Sequence, residues 1–151
     1  MPRPITSKKI NDMTEKDKIV RVGVGCWLEN PDGLFLFGSR LSKHGNGTWA
    51  PPGGHLEFGE NFVQCAAREL FEETGIRLSL GDFRVVGMTN DVFPGKHYVT
   101  IHCHAKLKHR VYPNVKEPDK CSAWYWLNLK FLPNNLFLPA QNLIKQKVFG
   151  V

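Results

Sequence analysis

The sequence has few cysteines and no long apolar run. Its four cysteines (Cys26, Cys65, Cys103 and Cys121) are scattered without a CxxC pair, which argues against a disulfide framework and favours reduced thiols. No apolar stretch approaches the roughly 20 residues of a membrane span, and the first residues lack the apolar core of a secretory signal. We therefore expect a cytoplasmic protein without a membrane partner.

Internal repeats and low-complexity segments are also absent, which excludes repeat architectures. A length of 151 residues with 42% apolar and 23% charged residues is typical of one globular domain. We expect a polar N-terminal tail over residues 1–17 and a single domain over residues 18–151. The net charge of +6 suits an anionic ligand such as a nucleotide, although solubility explains this charge equally well.

The apolar pattern predicts a mixed α/β fold. Val-rich and alternating stretches predict strands, whereas spacing of three to four residues predicts one early and one late helix. Asn61 is a candidate N-cap and Gly75 a C-terminal stop, so the early helix is expected over 61–74. A turn is expected at 51–54. The predicted strands cover 19–29, 34–40, 49–50, 83–93, 97–107 and 123–129, and the late helix covers 138–149.

The early helix carries Glu69, Glu72 and Glu73 close together near one side. Like charges at helical spacing cost about 0.2–0.5 kcal/mol per pair, so helix stability does not explain them. A hard divalent cation would explain them, because Mg²⁺ takes oxygen ligands and bridges carboxylates to substrate phosphates. The alternative is a solvated acidic face. The preceding Gly53–Gly54 pair favours the metal, since glycine lets the backbone approach a ligand closely.

The glycine-rich loop and the acidic helix form one pattern. Gly54 is followed after five residues by Glu60, and after seven more by the run RELFEETGI from Arg68 to Ile76. This pattern resembles the Nudix box at every defined position over residues 54–76. Nine fixed or restricted positions over 23 residues make a chance match improbable.

The resemblance to Nudix proteins implies an α/β/α sandwich around a mixed β-sheet. It also implies a hydrolase that cleaves a nucleoside diphosphate linked to another group, using an activated water and Mg²⁺, with Mn²⁺ as the alternative. Glu69 or Glu72 would assist deprotonation of that water. The implied metal ligands are the Gly54 carbonyl, Glu69, Glu72 and Glu73, and the implied structural residues are Glu60, Arg68 and Gly75.

Segments outside the box are similar to the small cytosolic MutT-like nucleotide diphosphatases of eukaryotes and plants. That similarity implies hydrolysis of (deoxy)nucleoside triphosphates, including oxidised purine nucleotides such as 8-oxo-dGTP, to a monophosphate and pyrophosphate. Dihydroneopterin triphosphate, ADP-ribose or a nucleotide sugar, and a role in RNA binding or decapping remain alternatives. The dispersed basic residues argue against a nucleic-acid partner. A homodimer is open, because similar proteins are often dimers.

Five residues outside the acidic run are candidates for substrate contact. Arg40 ends a predicted strand near the box, where a guanidinium can hold phosphate as a bidentate donor. Trp49 and Phe137 are candidates for stacking on a base, His55 follows the glycine pair, and Thr100 lies on a strand that lines the cleft in similar proteins. Each residue also has a plain explanation in packing or surface solvation.

Two positions depart from the pattern of similar proteins. Relatives often carry an acid two positions before the tryptophan that opens the late strand, where this chain has Ser122. Glu117 or Asp119 would then supply the distal carboxylate. Leu138 stands where purine-acting relatives have a second aromatic residue, so weaker stacking on a purine is expected.

Overall fold

The computed structural model describes residues 13–15 and 17–151, so residues 1–12 and 16 of the predicted tail lie outside the described residues. The predicted mixed α/β class is confirmed. Among the described helices, none is long and apolar enough to span a membrane. The strands are β1 (Val20–Glu29), β2 (Phe35–Arg40), β3 (Trp49–Ala50), β4 (Gly53–His55), β5 (Phe83–Phe93), β6 (Lys96–Lys106) and β7 (Cys121–Leu127), and the α-helices are α1 (Phe62–Thr74) and α2 (Leu138–Lys145).

The predicted turn at 51–54 is wrong in its second half, because Gly53 already belongs to β4. This short strand pairs antiparallel with the middle of β1 at Gly23–Gly25. A Cβ on Gly53 would overlap the carbonyl oxygen of Val24, so glycine serves close strand pairing here. The late helix is also shorter than predicted, since the chain adopts a left-handed conformation at Lys147, with φ of 58°.

The seven strands form one mixed sheet in the order β3-β2-β1-β6-β5, with β4 paired to β1 and β7 paired to β2. β1 and β6 are parallel over ten residue pairs, from Val20↔His97 to Glu29↔Lys106. The paired residues of β1 and β2 are Glu29 and Phe35, at one end of β1. Further along β1 the two strands separate, and β4 pairs with β1 there instead. The glycine-rich loop is therefore held at the middle of the sheet.

Two hydrophobic cores lie on opposite faces of this sheet. Alternate residues of β1 point to opposite sides, so Cys26 packs with α1 residues such as Leu70, whereas Trp27 packs with α2 residues such as Leu143. Each helix thus covers one face of the sheet. This arrangement is the predicted α/β/α sandwich.

Local sequence determines both ends of α1. The Asn61 side chain accepts a hydrogen bond from the Gln64 backbone N–H, and the Gln64 side chain accepts one from the Asn61 N–H, each at 2.9 Å. Gly75 ends the helix in the left-handed region, with φ of 77°, and its N–H donates to the Phe71 carbonyl. The observed helix begins one residue after the predicted start and ends at the predicted residue.

Candidate active site

Arg68 connects the loop before α1 to the helix. Its guanidinium donates to both carboxylate oxygens of Glu60, at 2.8 and 2.9 Å, and to the backbone carbonyl of His55, at 3.0 Å. The bidentate pair with Arg68 lowers the pKa of Glu60 to about 2, so this carboxylate stays charged at neutral pH. Arg68 also donates to Glu69 at 2.7 Å and to Glu72 at 3.2 Å.

Glu69 and Glu73 form a carboxylate pair behind the glycine loop. The Gly53 N–H donates to Glu73 at 3.2 Å, and a Cβ on Gly54 would overlap the Glu69 carboxylate. Burial and the negative charge of Glu69 raise the pKa of Glu73 well above its ordinary value. Burial also raises the pKa of Glu69, although the hydrogen bond from Arg68 opposes this shift.

The donor set fits a hard divalent cation. The carboxylates of Glu69 and Glu73 are partly buried and lie together. Of these two, only Glu69 forms a salt bridge among the described residues. Oxygen ligands of this kind suit Mg²⁺ or Mn²⁺, whose positive charge would offset the repulsion within the pair. The Glu72 side chain is 48% exposed at the edge of this pair, where it shares the Arg68 guanidinium with Glu69. Over the described residues, no three Asp, Glu, His or Cys side chains already converge as a metal cage.

A cleft opens beside the glycine loop, between β1, β6 and the start of α2. Gly53 and Gly54 form part of its wall, which places the acidic helix next to it. Burial lowers the pKa of Arg40 in this cleft, whereas the nearby negative charge of Glu73 opposes that shift. A ligand in the cleft would therefore lie across the glycine wall from the acidic pair.

Four of the five predicted substrate residues line the cleft: Arg40, His55, Thr100 and Phe137. Arg40 donates from Nε and Nη2 to the His44 carbonyl, at 3.1 and 2.9 Å, and its guanidinium lies 4.2 Å from the Phe137 ring centre. Trp49 does not line the cleft. It is half-buried at the edge of the core beneath α2 and packs edge-to-face on the exposed Tyr125, with ring centres 5.4 Å apart.

Sequence reasoning identified Phe137 but missed His44, Phe93 and Tyr98, which lie around it in the cleft. The His44 ring stacks on Tyr98 at 5.2 Å and meets the edges of Phe93 at 4.3 Å and Phe137 at 5.3 Å. These residues come from three distant segments, so no local pattern brings them together. Burial lowers the pKa of His44 to about 4, which leaves a neutral aromatic wall at pH 7.

The NUDIX domain family profile matches residues 20–146, which include every strand and both α-helices described above. The chain belongs to the Nudix family. The predicted resemblance to MutT-like Nudix proteins is confirmed. Nudix hydrolases generally use a divalent metal, in agreement with the donor set on α1.

Individual Nudix proteins match different parts of the chain. It is 31% identical over 127 residues to the m7GpppN-mRNA hydrolase NUDT17 of Xenopus laevis, which covers 72% of this chain and 42% of that protein. It is 58% identical over 55 residues to phosphatase NudJ of Escherichia coli O1:K1 / APEC, covering 36% of this chain and 35% of that protein. The chain spans less than half the length of these curated relatives.

The fold has close counterparts among solved Nudix structures. The MutT NUDIX hydrolase from Burkholderia pseudomallei superposes with a TM-score of 0.73 at 29% identity. The superposition covers 84% of this chain and 95% of that one. The sheet and helices that hold the candidate site are therefore those of a Nudix domain.

A buried polar network lies beneath the cleft of this Nudix domain. The Trp27 indole N–H donates to His102 Nδ1 at 2.9 Å, and His102 Nε2 lies 2.9 Å from the Thr89 hydroxyl. The Thr89 and Thr100 hydroxyls donate to one oxygen of Asp91, at 2.9 and 2.6 Å. Because the indole is only a donor, His102 is neutral with its proton on Nε2. Burial agrees with this, since it lowers the pKa of His102 to about 4.

We expect the contribution of His102 to the free energy of unfolding to fall as the pH is lowered from 6.5 to 4. Folded His102 stays neutral in this range, whereas the unfolded chain takes up a proton near pH 6.5, so acid favours unfolding. The shift corresponds to about 3 kcal/mol across the range. Urea denaturation of the wild type and His102→Gln at several pH values measures it. Equal pH slopes would contradict the prediction, and the comparison separates His102 from His44, whose pKa is also lowered.

Proposed function

We propose that this Nudix domain is a Mg²⁺-dependent pyrophosphohydrolase that cleaves nucleoside triphosphates to a monophosphate and pyrophosphate. The observation that carries the proposal is the Glu69–Glu73 pair, which lies behind the Gly53–Gly54 wall of an aromatic-lined cleft. A nucleotide has both groups that these surfaces suit, a polyphosphate for the metal site and a flat base for the rings. Oxidised purine nucleotides such as 8-oxo-dGTP are within the proposed substrate class.

The acidic residues take separate roles in this proposal. Glu69, Glu73 and the Gly54 carbonyl hold the cation, and Glu72, which is half exposed, completes the set. A cation held there would lower the pKa of bound water and offset charge on the phosphates. Glu69 or Glu72 accepts the proton of the attacking water. Arg68 holds Glu69 and Glu72 in place, and its bond to Glu60 anchors the arrangement.

The cleft positions the rest of the nucleotide. Two of the five guanidinium N–H groups of Arg40 are used by the His44 carbonyl, which leaves donors for a phosphate oxygen. Phe93, Phe137 and the neutral His44 offer ring faces for a base. His55, fixed by a 2.9 Å contact between its Nε2 and the Tyr98 hydroxyl, lies between these two regions as a further substrate contact. Trp49 supports this wall through its backbone carbonyl, which accepts a hydrogen bond from the Phe137 N–H at 2.9 Å, rather than by touching the base.

A substrate panel tests this proposal. Pyrophosphate and monophosphate release would be measured with Mg²⁺ for the common NTPs and dNTPs, 8-oxo-dGTP, dihydroneopterin triphosphate, ADP-ribose and a nucleotide sugar, with Glu73→Gln as the blank. Turnover of a triphosphate that is lost in the variant supports the proposal. Turnover confined to ADP-ribose or the nucleotide sugar would mean that this compound, and not a triphosphate, is the substrate. No turnover above the blank would refute the proposal.

Hydrolysis of capped RNA is the second candidate function. The observation that favours it is the 31% identity to NUDT17, whose name describes an m7GpppN-mRNA hydrolase. Adding capped RNA and the free dinucleotide cap to the panel separates the candidates. Release of m7GDP from capped RNA, with no turnover of free triphosphates, would favour decapping. A cytoplasmic location and a homodimer stay predictions, to be tested by cell fractionation and light scattering.

Glu117 is proposed as the distal carboxylate in preference to Asp119. The loop before β7 docks on the end of α1, where the Lys116 N–H donates to the Glu73 carbonyl at 3.2 Å, and the Glu117 charge contributes to the raised pKa of Glu73. We expect Glu117→Gln to lower kcat about 10- to 100-fold through weaker metal binding or proton transfer. Asp119→Asn is the matched control and should keep wild-type turnover. Equal effects would argue against this assignment.

A further inference from the structure

Two glycines of β1 leave the floor of the cleft uncovered. Gly23 pairs with Thr100 and Gly25 with His102 on the neighbouring strand β6, and all four residues line the cleft. A Cβ on Gly23 would stand 3.6 Å from the Thr100 hydroxyl oxygen, and one on Gly25 would stand 3.3 Å from His102 Nδ1. The missing side chains therefore give a ligand access to this floor.

The hydrogen bonds beneath the floor all lead toward Asp91 as the final acceptor. His102 accepts from Trp27 at Nδ1 and donates from Nε2 to Thr89, whose hydroxyl donates to Asp91. Thr100 donates its own hydroxyl proton to the same Asp91 oxygen, at 2.6 Å. The Asn142 side chain of α2 donates to the other Asp91 oxygen at 2.8 Å. Asp91 is fully buried, so its carboxylate depends on these donors.

This arrangement leaves one hydrogen-bond acceptor on the floor without a donor. Both nitrogens of His102 are occupied, and Asp91 is covered by its three donors. The Thr100 hydroxyl uses its proton in the hydrogen bond to Asp91, so toward the cleft its oxygen can only accept a hydrogen bond. Thr100 is only 6% exposed and borders the cleft, so a ligand can approach this oxygen only from within the cleft.

We propose that Thr100, held by Asp91 as a pure hydrogen-bond acceptor, selects nucleotides whose base presents an N–H group to the floor of the cleft. Asp91 is the positioning residue, and Asn142 and Thr89 keep it in place. A base that presents a carbonyl or an unprotonated ring nitrogen would leave two acceptors facing each other, which costs binding. The proposal rests on the proposed function only in taking a nucleotide as the ligand.

Binding of nucleoside monophosphates in EDTA tests the proposal without any hydrolysis. The members of each pair differ at one amino or ring N–H position: AMP against purine riboside monophosphate, GMP against IMP, GMP against 1-methyl-GMP, and CMP against zebularine monophosphate. NMR titration should give the wild type an about tenfold preference for the N–H-bearing member of at least one pair. Thr100→Val, which keeps the shape but removes the hydroxyl, should lose this preference, and Thr100→Ser should retain it.

Asp91→Asn gives a readout that a purely structural role would not produce. Its amide oxygen must accept from Asn142, so its NH₂ group faces the Thr100 oxygen and frees the hydroxyl proton for the cleft. The preference should then reverse toward the member that lacks the N–H. If buried substitutions unfold the chain, Gly23→Ala covers the Thr100 oxygen at an ordinary contact distance and should reduce the preference.

The proposal is overturned if the wild type shows no preference in any pair, or if Thr100→Val keeps the wild-type preference. Its failure is distinguishable from failure of the proposed function. Preference without any turnover in the substrate panel would remove the hydrolase and leave the base contact. Turnover without any Thr100-dependent preference would leave the hydrolase and remove the base contact.

Discussion

Glu73→Gln is expected to lower kcat about 10³-fold while making the metal-free protein more stable. A loss of this size corresponds to about 4 kcal/mol of barrier, which is what removal of one carboxylate from a catalytic metal site can cost. Glutamine keeps the size of the side chain and can still accept the bond from the Gly53 N–H. The variant therefore removes a charge without removing the contact that fixes the loop.

The gain in stability follows from the raised pKa of Glu73. Burial and the nearby Glu69 charge disfavour a second carboxylate at this point, and in metal-free protein no metal ion offsets this charge. Removing the charge should raise the free energy of unfolding by roughly 1 kcal/mol or more, as is common where a functional site is strained. Urea denaturation in EDTA measures this change. Addition of Mg²⁺ or Mn²⁺ should stabilise the wild type and have little effect on the variant.

Glu29→Gln is the matched control for this experiment. Glu29 is a partly buried glutamate at the end of β1, where it contacts His104 and Lys106 away from the acidic helix. Its substitution should leave kcat and metal stabilisation unchanged. If Glu73→Gln kept wild-type turnover, or destabilised the metal-free protein, the assignment of Glu73 to a metal site would fail.

Gly54→Ala is expected to lower kcat/KM about 100-fold or more with little change in stability. The new methyl group would overlap the carboxylate of Glu69, which is the mobile end of a side chain. The backbone can therefore stay in place while Glu69 rotates away from Glu73. Misplacement of a catalytic group by about 1 Å is enough for a loss of this size.

Gly81→Ala is the control for the loss of glycine. A Cβ at Gly81 has no heavy atom within 4 Å, and its φ lies outside the left-handed region, so neither activity nor stability should change. The Gly54 effect should appear in metal affinity, measured by the metal concentration at half-maximal rate. An alanine at position 54 that left this concentration and the rate unchanged would mean that Glu69 does not act from the position it occupies here.

Local sequence was sufficient to predict α1 and its ends. The Asn61 cap, the apolar spacing and the Gly75 stop act within a few residues, and the observed helix agrees with them. The strands were predictable for the same reason, since alternation is a local pattern. The short strand β4 was not, because Gly53 reads as a turn former until its close approach to β1 is known.

The cleft required long-range information. Trp49 and Phe137 look alike in the sequence as stacking candidates, yet Trp49 packs at the edge of the core and Phe137 borders the cleft. His44 stands in a polar loop that gives no sign of its aromatic neighbours. Glu72 belongs to the acidic run, but only the structure shows that its side chain is half exposed and shares Arg68 with Glu69.

By itself, the sequence determined the family, the mixed α/β class and the acidic helix after the glycine loop, because each depends on residues close together in the chain. The tertiary structure alone decided which side chains share the cleft and in which direction the Asp91 network runs. The parallel pairing of β1 with β6 brings Gly23 against Thr100, 77 positions later in the chain. Contacts over such distances depend on strand register and packing, which no local pattern specifies.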